Sequence, residues 1–310
     1  SGKYTIDKGE GTDVAYRDLF AQPVTNNASD VEVITAYAYS ISLGVKHNTN
    51  YSIINASGNQ IGLSKAFMDS YLMNDGSRFT DRPGYETMIF GEEFENRDPR
   101  MFQTVRCPGY ARIGKTHDVN RLYEAMQISA TGYMPIKYIQ SGDYDKQTSN
   151  ENDIILYRYA EVLLNYAEAV FERDGAISDD DLNLSLNLVR CRVNTKMPKL
   201  TNSFVSEHGL DMRTEIRRER TIELYNEGFR LDDLKRWKTA ETEMPQDILG
   251  VKWKGTEYET TWSKCPHPRN DDGILVLETG RKWAEKNYLF PLPKDQLQLN
   301  PNLKQNPGWE

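Results

Sequence analysis

Between Ile155 and Val170 the apolar residues Ile155, Tyr159, Val162, Leu163, Tyr166 and Val170 recur at steps of 4, 3, 1, 3 and 4. That period runs them along one face of an α-helix and predicts a helix over 153–172. Ala160 and Ala167 sit two turns apart on it, small enough to let a second helix approach closely. Ser178 and the run Asp179-Asp180-Asp181 make an acidic helix start, and Leu182, Leu186, Val189 and Val193 then step by 4, 3 and 4. A partner helix over 180–194 and an antiparallel αα-hairpin follow from that spacing. A second pair is expected over 211–227 and 229–238, with Ile216, Ile222 and Tyr225 on the first helix, Gly228 as a left-handed cap, and Leu231, Leu234 and Trp237 on the second. Two hairpins starting about 60 residues apart resemble tetratricopeptide units with an insertion rather than a tight tandem array.

The flanking segments lack this period. Residues 31–40, rich in Val, Ile, Thr and Tyr, read as a strand, and 64–73 as a short helix behind a Ser64 cap, stopped by Asn74-Asp75-Gly76. From Arg78 to Tyr138, Gly and Pro breaks at Pro83-Gly84, Asp98-Pro99, Pro108-Gly109, Gly114, Gly132 and Pro135 alternate with aromatic residues; long connections of this kind are often functional. After Lys238 the period is lost, and Pro291, Pro293, Pro301 and Pro307 predict a tail running extended across the body. The fold expected is mainly α: helical hairpins over 151–240 supporting a loop-rich, short-stranded, ligand-side part over 1–150, with an irregular segment and tail over 241–310.

Composition removes several function classes. The 310 residues carry 38 basic and 46 acidic side chains, a net charge of -8, so a nucleic-acid backbone would be repelled. No apolar run approaches the roughly 18 residues needed to span a bilayer as a helix. Cys107, Cys191 and Cys265 are too far apart for a zinc CxxC pair or a dense disulfide framework. The chain opens Ser1-Gly2-Lys3-Tyr4 without an initiator Met, a charged n-region or an apolar h-region, so the opening residues are not expected to be a signal segment.

Enzyme motifs are absent: there is no GxSxG, HExxH, GxxxxGK[ST] or GxGxxG, and His47, His117, His208 and His267 stand singly. Neither a metal nor a cofactor is expected. Each acidic cluster has a structural account: Asp179 to Asp181 at a helix start, Asp232 four residues before Arg236, and Asn270-Asp271-Asp272-Gly273 as a turn. Arg213, Arg217, Arg218 and Arg220, with Glu215–Arg218 and Arg220–Glu223 at i,i+3, read as a solvated, ion-paired helix.

What stands out is the aromatic content of 5 Trp, 18 Tyr and 10 Phe. Sugars present flat C–H faces edged by hydroxyls, and rigid rings with polar handles beside Arg, Asn and Asp suit them. Tyr159, Tyr166, Tyr225 and Trp237 lie on or near the helical stripes and are assigned to the core. Tyr85, Tyr110 and Tyr123 in the Gly/Pro-broken half are the expected platform. Trp253 or Trp262, beside Lys252, Lys254 and Lys264, is the second candidate.

Three segments carry a family resemblance. Asp153-Ile154-Ile155-Leu156-Tyr157-Arg158-Tyr159-Ala160-Glu161-Val162-Leu163-Leu164-Asn165-Tyr166-Ala167-Glu168-Ala169 resembles the central helix of SusD-like (SusD/RagB) outer-membrane lipoproteins of Bacteroidetes. Ile216-Arg217-Arg218-Glu219-Arg220, then Glu227-Gly228-Phe229-Arg230-Leu231-Asp232-Asp233-Leu234-Lys235-Arg236-Trp237, is similar to the family's helix pair. Phe290-Pro291-Leu292-Pro293 with Leu299-Asn300-Pro301-Asn302-Leu303-Lys304-Gln305-Asn306-Pro307-Gly308-Trp309 is similar to its C-terminal signature. The resemblance implies a C-terminal portion of a longer, lipid-anchored protein on the outer membrane's cell-surface face. It also implies non-catalytic capture of an oligosaccharide and its delivery to a SusC-like TonB-dependent transporter. An oligopeptide receptor of the same architecture, a protein-binding helical scaffold and a glycosidase remain as rivals. Ligand contacts in the family come from variable loops, so the resemblance assigns no binding residue.

Overall fold

The computed structural model describes residues 2–55, 57–115, 128–193, 197–256, 259–260 and 267–310. In chain order the first half holds α1 (Ala15–Ala21), β1 (Val33–Tyr37), α2 (Thr49–Ile54), α3 (Lys65–Ser70), α4 (Phe90–Glu93) and α5 (Met101–Thr104), joined by long loops. The helical layer follows: β2 (Ile154–Arg158), α6 (Tyr159–Asp174), α7 (Asp179–Leu184), α8 (Leu186–Arg190), α9 (Asn202–Glu207), α10 (Met212–Glu223), α11 (Arg230–Arg236) and α12 (Ala240–Glu243). A ribbon of β3 (Ile248–Lys252) and β4 (Ile274–Glu278), then α13 (Lys294–Leu299), complete the chain. The mainly α, hairpin-supported architecture is the one expected from the sequence.

Several boundaries differ, for physical reasons. The segment expected to be helical from 153 begins as a strand, because Ile154 to Arg158 pair antiparallel with β1 (Tyr37 opposite Ile154, Thr35 opposite Tyr157). A stripe counted through Ile155 therefore mixes two periods. The true buried face of α6 is Ala160, Leu163, Leu164 and Ala167, while Val162 and Tyr166 are 46% and 42% exposed. Tyr166, assigned to the core, instead donates its hydroxyl to Asp181 at 2.7 Å; Tyr225 is buried, and Tyr159 and Trp237 are half-buried. The helix expected over 180–194 is broken at Ser185, which lies at φ -131° and ψ -96° and donates its side chain back to the Asp181 carbonyl.

Ser64 and Ser178 sit at helix starts as the sequence predicts, accepting the amides of Phe67 and Asp181; Asp211 does the same for Thr214, and the helix expected to end at Gly228 ends at Glu223, with Leu224 as its cap. The expected 211–227/229–238 pair is looser than a hairpin, since α10 packs mainly across α6 and α8. Together they close a core of Ala160, Leu163, Leu164, Ala167, Leu186, Val189 and Ile216. The tail also departs from expectation. It folds back on itself, with Gln305 accepting the Leu292 amide at 2.7 Å and donating to the Leu292 carbonyl at 3.0 Å, and Asn306 donating to Phe290. Its Pro residues punctuate turns around α13 instead of an extended run.

α10 is the largest correction. It is not a solvated helix: Glu215, Glu219, Arg220 and Glu223 are all buried, and only the Glu215–Arg218 pair forms as expected. Arg220 reaches Asp233 at 2.8 Å rather than Glu223, and Asp233, not Asp232, takes Arg236 at 2.8 Å. Glu223 is held by Arg158 at 2.7 Å, Arg192 at 3.1 Å and Arg100 at 3.4 Å. Glu219 binds Arg100 and Arg190; Glu32 binds Arg158 and Arg192; Asp98 binds Arg100. Lys137 donates to the Glu227 carboxylate and to the Glu223 and Tyr225 carbonyls at 2.7, 3.0 and 2.9 Å. This seam joins the loop half to the helical half. Burial alone would raise the Glu223 carboxyl, but Arg192, Arg158, Arg100 and Lys137 together hold it down at about 2.

Candidate functional site

Two of the expected platform tyrosines are held by the same local device. Arg82-Pro83-Gly84-Tyr85 and Cys107-Pro108-Gly109-Tyr110 each close a turn in which the tyrosine amide donates to the carbonyl three residues earlier, at 3.2 and 3.1 Å. Gly84 sits at φ 76° and ψ 13°, and Gly109 at φ 75°. Proline fixes the first central position and glycine accepts the left-handed second, the chemistry of a type II turn. The repeated Pro-Gly-Tyr is visible in the sequence, but its meaning as a tyrosine mount emerges only when both turns are seen closed.

The surroundings differ. Tyr85 is half-buried and sets its edge on the fully buried Phe79, centroids 5.8 Å apart. Phe79 is itself backed by the Arg97 guanidinium at 3.6 Å, whose N–H groups are spent on the carbonyls of Met68, Tyr71, Leu72 and Glu93. The loop is tethered from outside as well. Lys252 on β3 donates to the Thr87 carbonyl at 2.7 Å, and Glu92 takes the Ile89 amide at 3.0 Å. Lys65 lies 5.9 Å from the Tyr85 ring and is bound to Asp69 at 2.9 Å and Glu93 at 3.1 Å. Burial raises the Tyr85 hydroxyl pKa, and the negative charges of Glu86 and Asp69 add to the rise against Lys65. The half-buried Tyr85 ring thus stands near two carboxylates and an ammonium.

Tyr110 instead packs against Ile53, Met134, Ile136 and Ile139. Its neighbour Arg112 is committed to the Gln140 carbonyl and the Asp145 carboxylate, both at 2.6 Å. Burial raises the Tyr110 hydroxyl pKa, and Arg112, Arg106 and Arg17 oppose the rise. Among the described residues no ring contact joins Tyr85 to Tyr110; Tyr85 sets its edge on Phe79, and Tyr110 packs on the Ile53 cluster.

The remaining candidates divide. Trp253 is 2% exposed and packs with Met68, Phe90, Tyr133, Val251 and Leu275, so the exposed ring expected there is corrected to a core position. The cause is the β3–β4 ribbon, which turns Val251 and Trp253 inward and which the sequence period does not announce. Tyr123 and Trp262 lie outside the described residues. Asp69, Arg82 and Glu86 were not singled out from the sequence; proximity to a Pro-Gly-Tyr turn is the signal that marks them.

Several aspartates of the helical half are engaged within the chain. Asp181 is engaged by Ser178 and Tyr166, Asp179 by Asn202, and Asp233 by two arginines. Among the described residues no group of three His, Cys, Asp or Glu gathers as a metal site, and no helix is long and apolar enough to cross a membrane.

Comparison with known proteins now completes the picture. No curated protein matches the chain. A SusD-like carbohydrate-binding protein from Bacteroides fragilis superposes with a TM-score of 0.72 at 26% identity, over 98% of this chain and 58% of its own. A second SusD-like protein from the same species gives 0.67 at 25% identity, over 98% and 59%. Surface glycan-binding protein A from Bacteroides thetaiotaomicron shares the fold at 0.51 and 19% identity, over 99% and 56%. The chain therefore spans somewhat under three fifths of the length of these structures. The SusD family profile matches residues 25–309, nearly the whole chain, and the protein belongs to the SusD family.

Proposed function

We propose that this protein captures an oligosaccharide without cleaving it, using the tyrosines of its Pro-Gly turns as stacking surfaces. The reading rests on one observation above all: Tyr85 is half-buried on a turn fixed by Pro83 and Gly84, with Lys65 5.9 Å from its ring and Asp69 and Glu86 acting on its hydroxyl. A sugar's C–H face stacks on such a ring while its hydroxyls exchange hydrogen bonds with the charged groups. Family membership supports the class of ligand, as does the name of the 26%-identical carbohydrate-binding neighbour. Tyr110 is the second surface, and the loops of residues 1–150 form the ligand side.

In the whole protein this capture would take place on the cell-surface face of the outer membrane, under a lipid anchor, and would serve a SusC-like TonB-dependent transporter. Co-purification with such a transporter tests the partnership. A glycan array followed by titration monitored through Trp fluorescence tests the ligand class. Time-resolved release of reducing ends, abolished by one carboxylate substitution, would overturn the non-catalytic reading. Binding of peptides in preference to every glycan would favour the oligopeptide alternative.

A further inference from the structure

α6 carries two apolar stripes. One, Ala160, Leu163, Leu164 and Ala167, is buried in the core shared with α8 and α10. The other, Tyr159, Val162, Tyr166 and Ala169, steps by 3, 4 and 3 along a second side of the helix, where Tyr159 is half-buried and the other three are exposed. That spacing is the seam by which one helix receives another. The α7–α8 segment repeats the division: Leu182, Leu186 and Val189 are buried, while Leu184 and Leu188 are 64% and 44% exposed. The Tyr166 hydroxyl donates to Asp181, one turn before Leu184, at 2.7 Å and joins the two outward sides into one face.

A helix that is apolar on two sides belongs between two layers. On the core side that layer is present: α10 covers the buried stripe and exposes no large apolar side chain, and the loop half in turn meets α10 through Arg100 and Lys137. On the outward side Val162, Tyr166, Leu184 and Leu188 stay open to water. In stacked helical hairpins such a face is the one a neighbouring unit covers, whereas a terminal unit turns a polar face outward.

The position of the N-terminal residues indicates the occupant. The Tyr4 ring stacks on Tyr159, at the head of the outward stripe, with centroids 6.5 Å apart, and Thr5 donates to the Val31 carbonyl at 3.0 Å. Polypeptide joined to this end would run onto the outward side of α6. The other end is tied into the tail, where Trp309 donates to the Lys286 and Leu289 carbonyls at 2.9 and 3.2 Å. The two SusD-like relatives, of whose lengths the chain spans 58% and 59%, have polypeptide enough for a further layer. The open face is two helices wide, which suits a hairpin.

We propose that the outward face of α6–α8 seats a further αα-hairpin of the same polypeptide, encoded before Ser1, whose apolar side chains cover Val162, Tyr166, Leu184 and Leu188. The experiment uses the full-length protein. Benzoylphenylalanine is placed at Val162 or at Leu184, the protein is irradiated and the cross-linked peptides are identified by mass spectrometry; Leu184→Asp is melted beside the parent. Cross-links within one molecule to peptides preceding Ser1 are expected. Leu184→Asp should lower Tm by about 4 °C or more, where an open surface position would move it by no more than about 2 °C. Cross-links between two copies assign the face to a dimer and overturn the hairpin. Cross-links confined to residues 1–310 of one molecule, or to a different protein, overturn it as well, as does a mature protein that begins at Ser1. A Leu184→Asp variant that melts with the parent has the same consequence. Should Leu184→Asp fail to fold, Val162→Ser is melted in its place, with a fall of about 2 °C or more expected and a parental Tm overturning the proposal.

Discussion

The seam under α10 and the turn that carries Tyr85 both set arginines against aromatic rings, yet they use the charge in opposite ways. In the seam, Arg158 lies over Phe20 and holds three glutamates, and Arg192 lies over Tyr16 and holds two. At the turn, Arg82 lies over Phe79 and holds none among the described residues. Charges matched inside the protein join its halves, since a buried ion becomes tolerable only when paired and hydrogen-bonded. The turn carries no such lock, and its shape rests on Pro83 and Gly84.

The largest effect that would break this comparison lies in the seam. Glu223→Gln keeps the shape but removes the charge facing Arg158, Arg192 and Arg100, and should lower stability by about 3–5 kcal/mol in thermal or denaturant unfolding. A variant as stable as the parent would mean that the seam does not hold the halves together.

Acid sharpens the same point. The folded-state pKa of Glu223, about 2, lies below the unfolded value of about 4.3. Its contribution is therefore complete above that unfolded value and is lost as pH falls toward 2. It amounts to about 3 kcal/mol, and the stability-against-pH curve of Glu223→Gln should be flatter than the parent's over that window.

Tyr85→Ala tests the other side. Stacking is worth roughly 1–3 kcal/mol per ring, by analogy with bases on aromatics, so glycan binding should weaken about 5- to 150-fold with little change in Tm. Tyr110→Ala should lower both binding and Tm, because its ring also covers Ile53 and Ile136. Equal behaviour of the two variants would dissolve the distinction between the turns.

The smallest effect is Gly84→Ala. A Cβ there meets no atom within 4 Å, so only the left-handed φ of 76° resists it, at about 1–2 kcal/mol. Glycan titration should show a modest loss as the Tyr85 ring shifts, and unchanged affinity would show that the turn does not set the ring's position.

How far the sequence reached can be judged residue by residue. Local chemistry was legible where a side chain answers a nearby backbone amide, as at Ser64 and Ser178, and where glycine takes a left-handed backbone, as Gly228 does at φ 92°. The small-residue spacing of Ala160 and Ala167 was legible too, and both are fully buried. Long-range partners were not. That Ile155 belongs to a strand depends on β1, more than 100 residues earlier, and that Trp253 faces inward depends on β4 across the ribbon.

Charge patterns were the least legible, because i,i+3 and i,i+4 spacing names only the partner on the same helix. Arg220 and Glu223 satisfied that spacing and chose Asp233 and Arg158 instead, since partners arriving from other segments displaced water and made the pairs stronger. For the site, the sequence by itself determined the two Pro-Gly turns and so the exit points of Tyr85 and Tyr110, because proline and glycine fix backbone angles without help from elsewhere. Only the tertiary structure decided what each tyrosine packs on. Tyr110 covers the Ile53 cluster while Tyr85 sets its edge on Phe79, and that outcome is set by what the rest of the chain packs alongside.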